Sequence, residues 1–196
     1  RQAGLRAKQK RKFKVTTTDS AHNYPVAPNR LDQDFQASQP NEKWVADITY
    51  VATAEGWLYL AAVMDLYSRR IVGWAMGDTL ARSLPLAALQ MALETRQPPP
   101  GLLHHSDRGS QYASQDYQAV LTKYQIQGSM SRAGNCYDNA PIESFFGSLK
   151  TELVHHRHYA TRAEAKTDIF EYIEVFYNRF RRHSALDNLC PVVFDT

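Results

Sequence analysis

A run of apolar residues at positions 58–64 limits the possible folds of this chain more than any other feature. It lies within a strand candidate at residues 57–66, and its side chains are apolar at odd and even positions alike. Both faces of such a strand must be covered, as happens when helices pack on both sides of a sheet. Strand candidates at residues 44–53 and 70–76 flank the run, and short turns separate them from it. The pattern predicts an antiparallel meander between layers of helices.

The rest of the folded body alternates between helix and strand before it becomes wholly helical. The predicted elements are a helix capped by Ser83, a strand at 102–105, a helix capped by Ser114, a strand at 126–130, and helices at 140–154 and 162–179. The last helix begins with a capping box formed by Thr161 and Glu164. This order predicts an α/β fold with a mixed five-stranded sheet flanked by helices.

The two ends of the chain differ in composition from its middle. The sequence predicts a basic arm and linker over residues 1–40, a core over 41–155 and a helical C-terminal extension over 156–196. The arm has no acidic residue before Asp19 and is rich in cations, which include Lys8, Lys10, Arg11, Lys12 and Lys14. An arm of this charge is expected to bind a polyanion such as DNA, and the alternative is a solvated tail.

Composition also excludes several classes of protein. No apolar run approaches the roughly 18 residues of a membrane span, and the basic N-terminus leads into polar sequence, unlike a signal peptide. We therefore expect a cytoplasmic protein without a membrane partner. Cys136 and Cys190 are too few for a disulfide framework and lack zinc-ligand spacing to nearby histidines, which predicts two reduced thiols.

Three acidic residues lie within or next to predicted strands and a helix, at positions that can bring them together. Asp47 lies inside a predicted strand, Asp107 follows another, and Glu143 lies in the first turn of a helix that Asp138 or Asn139 can cap. Taken singly, each has an ordinary explanation as an edge residue, a turn residue or a solvated helix residue. Taken together, they lie on elements that can meet at one side of the sheet. Their joint placement predicts a carboxylate site.

Such a site requires cations. Three carboxylates within about 4 Å would repel by several kcal/mol per pair, so they must bind ions or become protonated. With oxygen ligands and no histidine or cysteine cluster, the expected ions are Mg²⁺ or Mn²⁺. Two such ions about 4 Å apart would assist in-line attack on a phosphodiester. On this hypothesis Asp47, Asp107 and Glu143 are both the catalytic residues and the metal ligands.

Several blocks of sequence carry a resemblance to a known family. They are residues 44–50 (WVADITY), 64–74 (MDLYSRRIVGW), 105–112 (HSDRGSQY), 134–150, which begins GNCYDNA and includes Glu143, and 177–191, which begins YNR. In combination they resemble the catalytic subunits of bacterial insertion-sequence transposases of the orfB type, which are relatives of retroviral integrases. The resemblance covers nearly the whole chain.

The resemblance implies a ribonuclease H-like fold and Asp-Asp-Glu chemistry. In that chemistry hydrolysis frees a 3′-hydroxyl at the end of the element, and this hydroxyl then attacks a second phosphodiester. Asp47, Asp107 and Glu143 are matched to the metal ligands, and Lys150 to a residue that contacts the terminal DNA. Asp65 recurs in the family outside the triad, so we expect it to be structural. The implied partners are element ends and target DNA, bound by a homo-oligomer that is at least a dimer.

Further DNA contacts are expected at the basic end of the last long helix, from Arg179, Arg181 and Arg182. The alternative for this cluster is a favourable interaction with the helix dipole. The helix-turn-helix that such transposases carry upstream is missing from these residues, so recognition of element ends is expected to need additional sequence. In a bacterial cell we expect association with the nucleoid.

Other functions stay open at the level of sequence. A plain metal-dependent nuclease would use the same triad but would not need the basic cluster at residues 179–182. An inactive DNA-binding or assembly module would retain the triad only by descent. A tyrosine recombinase would leave the three acids unexplained. Cleavage of a labelled DNA end with Mg²⁺, compared with binding alone, distinguishes an enzyme from a binding module.

Overall fold

The computed structural model describes residues 22–132 and 136–196. These residues form a five-stranded mixed sheet in the order β3-β2-β1-β4-β5. The strands are β1 (Lys43–Thr53), β2 (Gly56–Asp65), β3 (Ile71–Gly77), β4 (Leu103–Ser106) and β5 (Gln127–Met130). Each lies within about one residue of its predicted bounds, so the predicted mixed sheet is confirmed.

Helices flank the sheet, as predicted. In the described part of the chain they are α1 (Ser83–Arg96), α2 (Gln115–Lys123), α3 (Ala140–Glu152), α4 (Arg162–Glu171) and α5 (Pro191–Phe194). α4 continues as a π-helical segment, Tyr172–Tyr177, and the capping box of Thr161 and Glu164 is present. Ser83, predicted as a cap, is instead the first residue of α1. None of these helices is both long and apolar enough to cross a lipid bilayer.

The order of pairing leaves part of β1 without β4 beside it. β1 and β2 pair antiparallel up to Thr53 and Gly56, where Gly56 has φ +106°, a conformation that favours glycine. β4 runs parallel to β1, but the last pair in this ladder joins Ala46 to Ser106. β1 therefore extends past the end of β4, and side chains on this part of the strand are accessible from its edge.

Both faces of the sheet carry apolar cores, as the apolar run in β2 predicts. On one face, α3, α4 and the π-helical segment pack around side chains such as Val45. On the other face, α1 and α2 pack around side chains such as Trp44. α1 lies so close to β3 that a Cβ at Gly73 would be 2.2 Å from the carbonyl oxygen of Ala88. Because the two cores share the sheet, the positions of its strands are firmly determined.

The helical C-terminal part packs into one of these cores. Ile169 and Tyr177 are buried with residues of the sheet. The Asn178 side chain accepts a hydrogen bond from the Ile71 N–H and donates one to the Ile71 carbonyl oxygen, both at 3.0 Å. The end of the long helix is thereby fixed to the first residue of β3. The division of the chain after residues 40 and 155 stays a prediction.

Residues 22–40, predicted as a linker or an extended strap, lie against the edge strand β5. The Arg30 N–H donates a 2.9 Å hydrogen bond to Ser129 Oγ, and Leu31 is buried in the core. This strap (residues 22–40) protects part of the open edge of the sheet. The basic arm residues Lys8, Lys10, Arg11, Lys12 and Lys14 lie outside the described residues, so the predictions for them stay predictions.

Candidate active site

The pairing of β1 with β4 brings Asp47 and Asp107 side by side. Each follows a residue of the last pair in the parallel ladder, in which Ala46 lies beside Ser106. Asp47 Oδ1 accepts a hydrogen bond from its neighbour's N–H, that of Ile48, at 2.7 Å. Because the carboxyl end of a buried parallel strand opens onto the surface of an α/β sheet, both acids can reach a ligand there.

In the loop after β4, Gly109 lies close to the ends of two side chains. A Cβ at this position would lie 2.9 Å from Asp107 Oδ1 and 2.9 Å from Gln111 Oε1. The Gly109 N–H instead donates a 2.8 Å hydrogen bond to Asp107 Oδ1. The Gly109 N–H therefore helps to orient the Asp107 carboxylate, and a Cβ at this position would push the ends of both side chains aside.

Asn139 fixes the start of α3, and with it Glu143, beside β1. Asp138 or Asn139 was predicted to cap this helix, and Asn139 is at the cap position but forms no side-chain cap hydrogen bond. The buried Asn139 amide instead donates a 3.0 Å hydrogen bond to the carbonyl oxygen of Ala46, the residue before Asp47. Glu143 follows in the first turn of α3. The third carboxylate is thus carried by a helix that is attached next to the first.

Asp138 holds the same segment from another direction. Its fully buried carboxylate accepts hydrogen bonds from Arg132 Nη2 at 2.8 Å, Gln33 Nε2 at 2.9 Å and Asn29 Nδ2 at 3.0 Å. Donors of this kind, with the Arg132 guanidinium first, hold the pKa of Asp138 well below its usual range. Since Asn29 and Gln33 belong to the strap, the strap supports the chain that leads into α3.

The three carboxylates act on one another electrostatically. Burial raises the pKa of Asp47 well above its usual range, and the charges of Asp107 and Glu143 raise it further. The Ile48 N–H and the Lys150 ammonium lower the pKa of Asp47 but do not cancel the rise. Glu143 is exposed as a whole, yet partial burial of its carboxyl end raises its pKa. The site therefore holds more negative charge than its surroundings balance.

Lys150 brings positive charge to the edge of the site. Its ammonium nitrogen lies 4.6 Å from the centre of the Tyr50 ring, a cation–π contact. Gly147 lies on α3 between Glu143 and Lys150, and a Cβ there would meet nothing within 4 Å. The surface of α3 that carries Glu143 and Lys150 is open at this point.

Tyr112 is a part of the site that the sequence analysis did not identify. It is fully buried, and burial, followed by Tyr117 and then the charges of Asp47 and Asp107, raises its pKa well above the usual range. Its hydroxyl group has no hydrogen-bond partner within the described residues. The available signal was its position in the HSDRGSQY block, where an aromatic residue by itself indicates only core packing.

The donor set has the chemistry that a hard divalent cation prefers. Asp47, Asp107 and Glu143 offer carboxylate oxygens, and the buried Tyr112 hydroxyl lies near enough to feel two of these charges. Across residues 22–132 and 136–196, however, no three His, Cys, Asp or Glu side chains are grouped closely enough to hold one ion. The carboxylates would have to move closer together around an ion, which their mutual repulsion opposes while none is bound.

The predicted DNA-binding arginines lie in different environments. Arg179 and Arg182 are exposed. Arg181 forms a two-point ion pair with Glu152, in which Nη2 lies 2.8 Å from Oε1 and Nε lies 3.0 Å from Oε2. Arg181 is therefore partly neutralised within the protein. Contacts of the three arginines with DNA stay a prediction.

Two known families match the chain, and both are described as integrase core domains. One matches residues 37–136 and the other matches residues 143–196. The chain is 56% identical to the insertion element IS600 uncharacterized 31 kDa protein of Shigella sonnei, over 97% of this chain and 70% of that protein. It is 51% identical to transposase InsF for insertion sequence IS3A of Escherichia coli strain K12, over 100% of this chain and 67% of the transposase. These matches agree with the resemblance stated from the sequence.

Solved retroviral structures share the fold. A chain of the simian T-cell lymphotropic virus intasome, in complex with PP2A regulatory subunit B56 gamma, is similar with a TM-score of 0.69 and 18% identity, over 91% of this chain and 61% of that chain. The HTLV-2 integrase catalytic core domain in complex with magnesium is similar with a TM-score of 0.64 and 16% identity, over 82% and 100%. The predicted ribonuclease H-like fold is therefore confirmed.

Fold and carboxylates together define an integrase-type catalytic core. The chain belongs to the integrase core domain family, and within it to the insertion-sequence transposases of the IS3 type. The family assignment made from the sequence blocks is thus confirmed, while the roles of individual residues follow as proposals.

Proposed function

We propose that this chain is the catalytic part of a DNA transposase that cuts at the ends of its insertion element and joins them to target DNA. In the first step water attacks the phosphodiester at the element end, and the 3′-oxygen leaves as a free hydroxyl. In the second step this hydroxyl attacks a target phosphodiester and displaces the target 3′-oxygen. The observation that carries the proposal is the placement of Asp47 and Asp107 after neighbouring paired residues, with Glu143 on a helix fixed to Ala46, in a chain of the integrase core family.

The carboxylates would hold two divalent ions, Mg²⁺ or Mn²⁺, which supply activation of the attacking oxygen and neutralisation of the leaving oxygen. Asp47 and Asp107 would bind from the sheet, and Glu143 from the first turn of α3. The Gly109 N–H keeps the Asp107 carboxylate oriented during these steps. Lys150, whose charge already acts on Asp47, would hold a DNA phosphate beside the acids.

DNA would be bound mainly through its phosphates. Cations of the arm, Lys8, Lys10, Arg11, Lys12 and Lys14, would provide much of the attraction, with help from Arg179, Arg181 and Arg182. Phosphate contacts carry no sequence information, so these contacts alone would not select the element ends. Because both element ends must be joined to one target, the active assembly would be a homo-oligomer of at least two subunits on DNA.

The deciding experiment compares wild-type protein with Glu143→Gln in cleavage and joining of a labelled DNA end. Activity should require Mg²⁺ or Mn²⁺ and disappear in Glu143→Gln, while DNA binding and folding persist, because the substitution removes a charge that the ions need. Glu171→Gln, at an exposed glutamate of α4, is the matched control and should keep wild-type activity.

Two outcomes would refute the proposal. One is cleavage or joining at the wild-type rate by folded Glu143→Gln. The other is a covalent protein–DNA adduct on denaturing gels, because water and a DNA hydroxyl, and no protein side chain, are the proposed nucleophiles. A protein that binds DNA but never cuts it with either ion would support the inactive module instead.

A further inference from the structure

Two aromatic side chains form a small ledge on the β1–β2 hairpin, beyond the end of β4. The rings of Tyr50 and Trp57 meet edge to face, with centroids 4.9 Å apart at 82°. They lie on the same face of the hairpin, because Trp57 pairs with Ala52, two residues from Tyr50. Trp57 is 39% exposed, which is unusual for so large an apolar side chain. We refer to Tyr50 and Trp57 as the hairpin ledge.

The backbone under the ledge is held from the opposite side of the hairpin. Arg162 donates from Nε to the Trp57 carbonyl oxygen at 3.0 Å and from its backbone N–H to Glu55 Oε2 at 2.8 Å. The Ala54 N–H donates a 2.9 Å hydrogen bond to the Tyr159 carbonyl oxygen. A ligand that stacks on Trp57 would therefore not have to order the hairpin, so it would avoid most of that entropy cost.

The surroundings of the ledge favour an anionic partner that is close to the carboxylates. Lys150 lies 4.6 Å from the Tyr50 ring centre, so a positive charge lies directly beside the ledge. Tyr50 is three residues after Asp47 on an extended strand, about 10 Å away, so the two side chains start from opposite faces of β1. Lys150 contacts the Tyr50 ring and its charge also acts on Asp47, which places both residues at the edge of β1 that extends past β4. A DNA strand whose scissile phosphate lies at the acids could therefore reach the ledge with a base about three nucleotides away, at roughly 3.4 Å per step.

We propose that the hairpin ledge is a binding site for an unpaired DNA base next to the scissile phosphate, and that this base stacks on Trp57. The inference rests on the proposed transposase function. An aromatic face beside a lysine is an arrangement that binds single-stranded nucleic acid, because every base has a face that can stack and every phosphate a charge. Tyr50 supports Trp57 and at the same time holds Lys150 toward the strand.

The test compares two duplexes whose end is mismatched over the terminal base pairs. One keeps its bases and the other has abasic sites at the same positions. Affinities are measured by fluorescence anisotropy with chelator present, so that no strand is cut. Wild-type protein should bind the duplex with bases about tenfold more tightly, which is the lower range for stacking of one base. Trp57→Ala should bind both duplexes equally, and Trp57→Phe should keep most of the preference.

Controls separate stacking from a general loss of structure. Trp57→Leu keeps apolar bulk against Tyr50 but has no aromatic face, so it should lose the preference while melting near the wild-type temperature. Tyr124→Ala removes an aromatic side chain that is 41% exposed and has Lys123 5.5 Å above its ring, but lies at the end of α2. This variant should keep the full preference.

The proposal is overturned if Trp57→Leu and Trp57→Ala, both folded, retain the wild-type preference for the duplex with bases. It is also overturned if wild-type protein cleaves DNA with Mg²⁺ but shows no such preference, a result that leaves the transposase function intact. Absence of both cleavage and DNA binding in the wild-type protein would overturn the transposase function and the ledge together.

Discussion

Asp47 and Asp65 lie on neighbouring paired strands, yet the fold treats their charges in opposite ways. Asp65 is fully buried and accepts hydrogen bonds from the backbone N–H groups of Asn41 and Tyr67 at 2.8 and 2.9 Å. Arg96 adds a guanidinium 3.6 Å from the carboxylate. Burial raises the pKa of Asp65, and these three groups oppose the rise. The protein itself supplies donors and a cation for this buried charge, although burial and the Asp195 carboxylate still leave its pKa raised.

At Asp47, burial and two neighbouring carboxylates outweigh the Ile48 N–H and the Lys150 ammonium, which lower the pKa. Burial raises the pKa of Asp47, and Asp107 and Glu143 add further negative charge that raises it more. An acid that is surrounded by donors stabilises the fold, whereas an acid placed among acids costs stability until a cation binds. This difference agrees with the structural role expected for Asp65 and with the proposal that Asp47 binds an ion.

The largest expected effect comes from exchanging oxygen for nitrogen at these two positions. Asp47→Asn should slow DNA cleavage by about a thousandfold or more, because it weakens ion binding that is worth several kcal/mol in the transition state. Its melting temperature without metal should not fall, since repulsion from Asp107 and Glu143 is removed. Cleavage assays and thermal unfolding in chelator measure the two effects.

Asp65→Asn is the matched comparison and should show the opposite pattern. An asparagine has one acceptor oxygen, so the N–H of Asn41 or Tyr67 would face an amide N–H₂ group. The expected loss is about 1–3 kcal/mol in the free energy of unfolding. Equal loss of stability in Asp47→Asn and Asp65→Asn would contradict the view that donors stabilise Asp65 while neighbouring acids destabilise Asp47.

The elements of the fold could be predicted from sequence because their signals are local. The apolar run of residues 58–64 required cover on both faces, and the turn at Gly56 and the capping box at Thr161 mark where elements begin. The cap predicted at Ser83 was wrong by one residue, because Arg82 is in the cap position without forming a cap bond. Helix ends of this kind depend on weak local preferences.

The contacts that position the site could not be predicted, because they join residues far apart in sequence. Asn139 reads as a cap, but its amide reaches Ala46, and this requires knowledge of how α3 crosses β1. The partners of Asp138 in the strap, and the ion pair of Arg181 with Glu152, depend on tertiary packing in the same way. The sequence identifies which residues are near the acids in the chain, but it does not give the distances and contacts between them in the fold.

Asp138 is a third buried acid, and it lies just before α3, the helix that carries Glu143. Like Asp65, it accepts hydrogen bonds from groups of the protein. Asp138→Asn should lower the free energy of unfolding by about 1–3 kcal/mol at pH 7, because the amide cannot accept all the bonds from Arg132, Gln33 and Asn29. The Arg132 guanidinium is the main cause of the lowered pKa of Asp138. Urea unfolding at several pH values measures the loss.

The sign of its pH dependence follows from that lowered pKa. A depressed pKa in the folded state gives stability that is present above the unfolded value of about 3.9 and is lost as pH falls toward the folded value. The difference between wild type and Asp138→Asn should therefore be constant from pH 7 to about pH 5 and become smaller below about pH 4. Asp32→Asn removes an exposed partner of the same arginine, 3.0 Å away, and should change stability little. A difference that grows at low pH would contradict this account.

The smallest expected effects are at the C-terminal arginines, where a paired positive charge can be compared with two exposed ones. Arg181 is held by Glu152 at 2.8 Å and also donates to Ser148 Oγ at 3.3 Å, whereas Arg179 and Arg182 are exposed. A phosphate contact of full strength contributes about −0.9 to the slope of log K against log salt concentration. Arg179→Gln or Arg182→Gln should each make that slope shallower by up to about this amount, and Arg181→Gln by less than half of it.

Glu152→Gln tests the small effect predicted for Arg181→Gln, because it releases Arg181 without removing a positive charge. If the ion pair withholds Arg181 from DNA, this variant should make the salt slope steeper, and Arg181→Gln in the same background should then cost a full phosphate contact. Titrations of one DNA duplex across salt concentrations, with each variant checked by thermal unfolding, give both results. The contrary result is a large change of the salt slope in Arg181→Gln and none in Glu152→Gln. It would show that Arg181 leaves Glu152 for DNA at little cost. The distinction between paired and exposed arginines would then not hold for this cluster.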